Sequence, residues 1–129
     1  MTKYWTDFTR NPFIWITGEP EIGDRTWIGP FTVIDGEGGL KIGDGCSISA
    51  GAHIYTHEMN KIEESSSGIV RRPVTIGDNV YIGANAVVMM GSEIGNGATV
   101  GAGSVVTKDT KIRDGETWTG VPAHLSDEY

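Results

Sequence analysis

The 129-residue sequence predicts an all-β chain wound as a parallel β-helix of triangular coils. An aliphatic residue returns every six positions, a small residue follows it at a fixed distance, and glycine-rich turn chemistry lies between them. The aliphatic series runs Ile16, Ile22, Ile28, Ile34, then Ile42, Ile48, Ile54, then Ile76, Ile82, Val88, Ile94, Val100, Val106 and Ile112, with Trp118 closing it. A helix repeats near 3.6 residues and a sandwich strand alternates every second one, so neither accounts for a spacing of six. A triangular coil of three hexads does, each hexad being one short strand and one corner, and the array amounts to about five coils.

The small residues come four positions after the aliphatics: Thr26, Thr32, Gly38, Cys46, Ala52, Val80, Ala86, Ser92, Ala98, Ser104 and Thr110. Only a tight interior demands them. Pro20, Glu58, Glu116 and Pro122 break the rule, at the ends of the array or where an excursion begins, which is where a repeat fails. Glycine directly follows the aliphatic at Gly23, Gly29, Gly43, Gly77, Gly83, Gly95 and Gly101, often with Asp or Asn next, as tight turns require. Nineteen glycines against two leucines leave little room for helix.

Two interruptions shape the organisation. The step from Ile34 to Ile42 holds two extra residues, which bulge near 37–39, and the polar stretch 58–69 reads as an exposed excursion loop. Val70 restarts the count, with Arg71, Arg72 and Pro73 on the outer surface. The expected arrangement is a single domain over 1–125 with coils at 16–57 and 70–123, followed by a short tail, 126–129. Residues 1–15 are expected to cover the open first coil, whose strand edges would otherwise invite pairing.

A formal net charge of −7 repels nucleic acid and anionic lipid, and suits a neutral small-molecule acceptor better. One cysteine, Cys46, forms no internal disulfide, and Asp7, Arg10 and Pro12 interrupt any leader-like apolar run, so a cytoplasmic location is expected. No apolar stretch approaches the roughly 20 residues that cross a bilayer, so no membrane association is expected. No phosphate-cradling glycine loop occurs.

Four stretches together resemble a known family: the double array, Ile54-Tyr55-Thr56-His57, the run from Gly101 to Lys108, and Gly120-Val121-Pro122-Ala123. The chain is similar over about 16–125 to the hexapeptide-repeat acyltransferases, in the branch of galactoside and maltose, xenobiotic and surface-polysaccharide O-acetyltransferases. The resemblance implies a left-handed coil and a homotrimer with sites between subunits. It also implies acetyl-CoA as donor, no required metal, and a hydroxyl or amine of a sugar, sugar nucleotide or similar small molecule as acceptor.

Acyl transfer needs a base for the acceptor proton, and His57, ahead of the excursion, resembles the family's catalytic histidine, although it falls two residues earlier than in the galactoside enzymes. Glu58 is read as the acid that orients the imidazole, or as a plain surface acid. His53 is read as a solvated corner residue. The main-chain amide of Ala84 matches the one that faces the thioester in the galactoside branch, and Ala102 matches a contact to the pantetheine arm; coil packing is the alternative for both. Thr107 and Lys108 match a Thr-Lys pair that contacts the donor. Arg71 and Arg72 are read as adding charge for the donor's phosphates on the loop side, or as a solvated face, and His124 as a further contact to donor phosphate where relatives often carry a basic residue. On the acceptor side Asp35 and Glu37 are the candidates, while Gly29 falls where the galactoside branch has a sugar-binding asparagine. Two other readings share the coil. A carbonic-anhydrase-like metalloenzyme needs three imidazoles with one well upstream, and none of His53, His57 and His124 supplies it. A non-catalytic trimeric scaffold or binding protein leaves the loop histidine and the Thr-Lys pair unexplained.

Overall fold

The hexad period becomes three parallel sheets. In the computed structural model, which describes residues 11–60 and 68–127, strands stack in register from one coil to the next. Ile16, Ile34, Ile54, Val88 and Val106 lie side by side on one wall of a triangle. Ile22, Ile42, Ile76, Ile94 and Ile112 line the second wall, and Ile28, Ile48, Ile82, Val100 and Trp118 the third. The result is a left-handed parallel β-helix of five coils, with no helix among the described residues. All of these side chains except Ile16, Ile22 and Trp118 are buried, with the small residues Cys46, Ala52, Ala86 and Ala98 between them. The buried hydroxyls are all bonded: Thr26 Oγ1 donates to the Gly43 carbonyl at 2.7 Å, and Ser104 Oγ accepts from the Gly120 amide at 3.0 Å. An interior hydroxyl costs little only on that condition.

The outward residues give each wall its character. The first is a valine face, carrying Val33, His53, Val87 and Val105, all half-buried, with the exposed Trp15 at its edge. The second is a charged face of exposed Glu21, Lys41, Thr75, Glu93 and Lys111, in which acids and lysines neighbour one another. The third is a hydroxyl face of Ser47, Tyr81, Thr99 and Thr117, with Trp27 at its end. Three corners join them. An aspartate corner lies between the charged and hydroxyl faces, an alanine corner between the hydroxyl and valine faces, and a loop corner between the valine and charged faces.

At most corners the third residue after the aliphatic is left-handed, with φ between 56° and 83° at Gly45, Gly51, Asn79, Asn85, Gly91, Gly97, Gly103, Asp109 and Gly115. Gly, Asn and Asp tolerate that conformation best, which explains their recurrence. Phe31 adopts it as well, at φ 61°, and sets its ring edge-on to Phe13 with centroids 5.5 Å apart.

The structure differs from the sequence expectation at four places. The first coil begins at Ile14, buried within the strand Ile14–Gly18, and not after residue 15. The interior position expected at Gly38 is taken by Leu40, and the one that Glu58 leaves unfilled is taken by Val74, both buried. Counting back two from the next aliphatic finds them, because the extra residues are inserted before that point. Val70 does not restart the coil. It pairs with Glu58 in an antiparallel ribbon, His57–Met59 against Ile69–Arg71, that closes the base of the excursion. The chain end is also not loose: after a reversal through Gly120 and a cis Val121–Pro122 bond, Ala123–Ser126 runs antiparallel to Thr117–Gly120 and extends the hydroxyl face. The rest of the expected cap, loop and tail, residues 1–10, 61–67 and 128–129, lies outside the described residues.

Candidate active site

Both interruptions of the hexad leave the coil at the loop corner. Extra residues are tolerated there because each sheet keeps its register above and below: Ile34 still meets Ile54, and Ile22 still meets Ile42. One consequence is chemical. Asp35, directly after Ile34 at the start of the wider turn, is a carboxylate only 2% exposed. Its Oδ1 accepts from the Glu37 amide at 2.9 Å and from Thr17 Oγ1 at 3.1 Å. Its Oδ2 accepts from the Thr56 amide at 2.8 Å, the His57 amide at 3.2 Å and His57 Nδ1 at 2.7 Å. Thr56 Oγ1 donates to the Asp35 carbonyl at 2.8 Å, tying the two coils together at this point.

Burial alone would raise the Asp35 carboxyl. The Thr56 and Glu37 amides, and after them the His57 ring, outweigh it and hold the group below its ordinary value. An ionised carboxylate only accepts hydrogen bonds, so the 2.7 Å contact assigns the proton of neutral His57 to Nδ1. Nε2 is then the nitrogen with a free lone pair, on an imidazole that is 37% exposed. A base of this kind takes a proton at Nε2 while its charged form is stabilised from behind.

This corrects two sequence assignments. Glu58, expected behind the imidazole, points to the other side of the ribbon, where its Oε2 accepts from Lys108 Nζ at 2.6 Å and Asn60 Nδ2 at 2.9 Å. Those two bonds lower its pKa. Asp35, expected on the acceptor side, is too buried to meet an acceptor and fills the place assigned to Glu58. The separation of 22 residues between Asp35 and His57 hid the pair. The available signal was the stack itself: Ile34 lies under Ile54, which puts the residue after one beneath the residues after the other.

The other candidates fall into two groups, with His124 apart from both. Glu37, Arg71, Arg72, Thr107 and Lys108 share the loop corner with His57; Arg72 Nη1 lies 3.4 Å from Asp109 Oδ2, and Thr107 Oγ1 lies 3.3 Å from Thr110 Oγ1. Ala84 and Ala102 sit on the alanine corner, across the width of the valine face. Their amides donate to no acceptor within the described chain, and a Cβ built on the adjacent Gly103 meets nothing within 4 Å. That open main-chain edge suits a long, thin ligand. His124 is exposed on the terminal strand beside Thr119, away from the loop corner. His53 lies within the valine face and not at a corner, between Val33 and Val87, its Nδ1 2.8 Å from Tyr55 Oη. Among the described residues no three His, Cys, Asp or Glu side chains converge in a way that holds a metal ion.

A coil of this build, with a buried carboxylate behind an imidazole at one corner, defines a class, and comparison with known proteins bears on which. The family model described as the hexapeptide repeat of succinyl-transferase matches residues 21–56 and 73–108, and the chain belongs to the hexapeptide-repeat family. A hexapeptide-repeat acetyltransferase of Vibrio cholerae, solved with acetyl coenzyme A, is 29% identical, with a TM-score of 0.76 over 88% of this chain and 63% of that one. A maltose O-acetyltransferase of Clostridium difficile is 27% identical, with a TM-score of 0.63 over 88% of this chain and 65% of that one. AntD, an N-acyltransferase of Bacillus cereus solved with dTDP and 3-hydroxybutyryl-CoA, shares the fold at 24% identity and a TM-score of 0.77, over 88% and 65%. The chain thus spans less than two thirds of the length of each of these proteins.

Proposed function

We propose that this chain is an acyl-CoA-dependent acyltransferase, with acetyl-CoA as donor, that acylates a hydroxyl or amine of a sugar or sugar nucleotide. The observation that carries this reading is the Asp35–His57 pair at 2.7 Å, which leaves Nε2 as a base at the mouth of the loop corner. His57 takes the proton of the acceptor O–H or N–H as that atom attacks the thioester carbonyl. The Ala84 amide donates to the oxygen on which negative charge gathers. As the carbon–sulfur bond breaks, imidazolium at His57 returns the proton to the departing thiolate, so the products are the ester or amide and free CoA thiol. Asp35 is a positioning residue: it fixes the tautomer and stabilises the imidazolium without itself taking the proton.

Relatives on this fold are named for such chemistry: one was solved with acetyl coenzyme A, one is a maltose O-acetyltransferase, and AntD was solved with a nucleotide and an acyl-CoA. On the donor side we place Ala102 and Thr107 along the pantetheine arm, with Lys108 beside them, held by Glu58 at 2.6 Å. His57 and Ala84 lie on opposite corners of one protomer, so one site needs two copies. The half-buried valine face between those corners is the surface through which we expect three copies to pack.

The test is direct. His57→Ala is expected to lower turnover by roughly 10²–10⁴ while the assembly stays intact, measured by thiol release with a panel of sugars and sugar nucleotides. Undiminished thiol release in that variant removes His57 as the base.

A further inference from the structure

The ribbon at the loop corner sets His57 opposite Arg71, Glu58 opposite Val70 and Met59 opposite Ile69. Directly opposed residues of an antiparallel pair project to the same side, with Cβ atoms about 4.5–5.5 Å apart. Arg71 therefore stands on the imidazole's side of the ribbon, and Glu58 with its partner Lys108 on the other. The three cations of this corner among the described residues, Lys108, Arg72 and Arg71, are not equivalent. Lys108 is engaged by Glu58 at 2.6 Å and Arg72 by Asp109 at 3.4 Å. Arg71 is exposed, and among the described residues no carboxylate lies within ion-pair distance of it.

We propose that Arg71 is the anion-recognition residue of the acceptor site and that the acceptor accordingly carries a phosphate. This inference rests on the acyltransferase reading above. Donor phosphate is the wrong ligand for this guanidinium. Coenzyme A carries its phosphates at the far end of the pantetheine arm from the thioester, and the thioester must sit at His57 to react. A group that meets Arg71 while its hydroxyl or amine meets Nε2 of His57 is short, with its anion one pyranose ring from the reacting atom. A sugar 1-phosphate and a nucleoside diphosphate sugar share that chemistry. The planar guanidinium fork matches phosphoryl oxygens in pairs. In a chain of net charge −7, which repels anions at long range, such a local cation is what admits a phosphorylated acceptor at all.

The experiment compares wild type, Arg71→Gln and Arg71→Lys on a free amino or hydroxy sugar, its 1-phosphate and its nucleoside diphosphate ester, each with acetyl-CoA. Wild type is expected to favour a phosphorylated form. In Arg71→Gln the phosphorylated-to-free ratio of kcat/KM falls by roughly 10- to 100-fold, Arg71→Lys recovers part of it, and the KM for acetyl-CoA moves far less. The arm with the larger loss tells sugar phosphate from nucleotide sugar. A wild type indifferent to the phosphate, or a Gln variant whose main defect is in acetyl-CoA KM, overturns the proposal. Absence of thiol release by wild type with every acceptor defeats the acyltransferase reading separately. Calorimetric titration with glucose 1-phosphate and UDP-glucose then still decides: weaker binding by Arg71→Gln supports the residue's role, and equal binding or no heat with wild type overturns it.

Discussion

Asp35 is the residue on which the proposed chemistry turns, and its setting makes a double demand. Five hydrogen bonds converge on its two oxygens, so removing the carboxylate strips the Thr56 and Glu37 amides of their acceptor as well as unbinding His57. Asp35→Asn keeps the shape but removes the charge behind the imidazole, and whichever way the amide turns its NH2 opposes a backbone N–H, so the Nδ1 proton is no longer held by a carboxylate. Turnover is expected to fall roughly 10²–10⁴-fold through kcat, with the KM for acetyl-CoA held, a split that a merely structural defect does not produce. Loss through KM alone would contradict the role. The same site sets an acid limit. A carboxyl whose folded pKa lies below its unfolded value, near 3.9, adds stability in full above that value and loses it as pH falls through the folded one. Acid titration of wild type should therefore show a loss of stability beginning below about pH 4 that is absent from Asp35→Asn.

Among elements, the aspartate corner shows how a two-residue strand is kept in place. Asp44 Oδ1 accepts from the Asp24 amide at 2.8 Å, Asp78 Oδ1 from the Asp44 amide at 2.9 Å, Asn96 Oδ1 from the Asp78 amide at 2.8 Å, and Asp114 Oδ1 from the Asn96 amide at 2.8 Å. Each side chain thus bonds the coil below, and the glycine before each amide is needed because a Cβ at Gly43 or Gly77 collides with the accepting oxygen. Asn96 does the same work without charge. Asp78→Ala is expected to cost about 0.5–1.5 kcal/mol, whereas Asp78→Asn is neutral or stabilising because it relieves repulsion within the stack. Chemical denaturation of both variants checks this, and equal losses would show that charge and not the acceptor matters.

These elements also show what was legible from sequence. The coil could be read because Ile, Val and small residues repeat on the same period as the geometry that buries them. The Gly-Asp steps announced corners, but not that their carboxylates bridge coils. Leu40, Val74 and Asp35 were misjudged for one reason: each follows or precedes an insertion, where counting along the chain no longer counts along the stack. His57 stood out as a histidine beside an excursion. Its partner needed the three-dimensional register, since nothing local distinguishes Asp35 from the turn acids near it.

For the whole molecule the decisive surface is the valine face. Val33, Val87 and Val105 point outward and are half-buried within one protomer, while the corresponding positions of the charged face are exposed acids, lysines and threonine. On the proposed trimer, packing copies along this wall would bring a loop corner against an alanine corner, which a single protomer cannot do. Val87→Glu places a charge in that contact and is expected to yield a folded monomer with activity reduced at least tenfold, read by sedimentation and thiol release. A fully active monomer would refute the shared site.

Both insertions leave at one edge of the prism and return to it without disturbing the rungs above or below. That edge is therefore a port through which segments of different length and composition can be exchanged while the prism stays as it is. On the acyltransferase reading, selectivity for a new acceptor would then depend on which segment is plugged in there, and the eighteen-residue spacing and corner chemistry of the rest need not change to accommodate it beyond keeping Ile54 and Ile76 in their places.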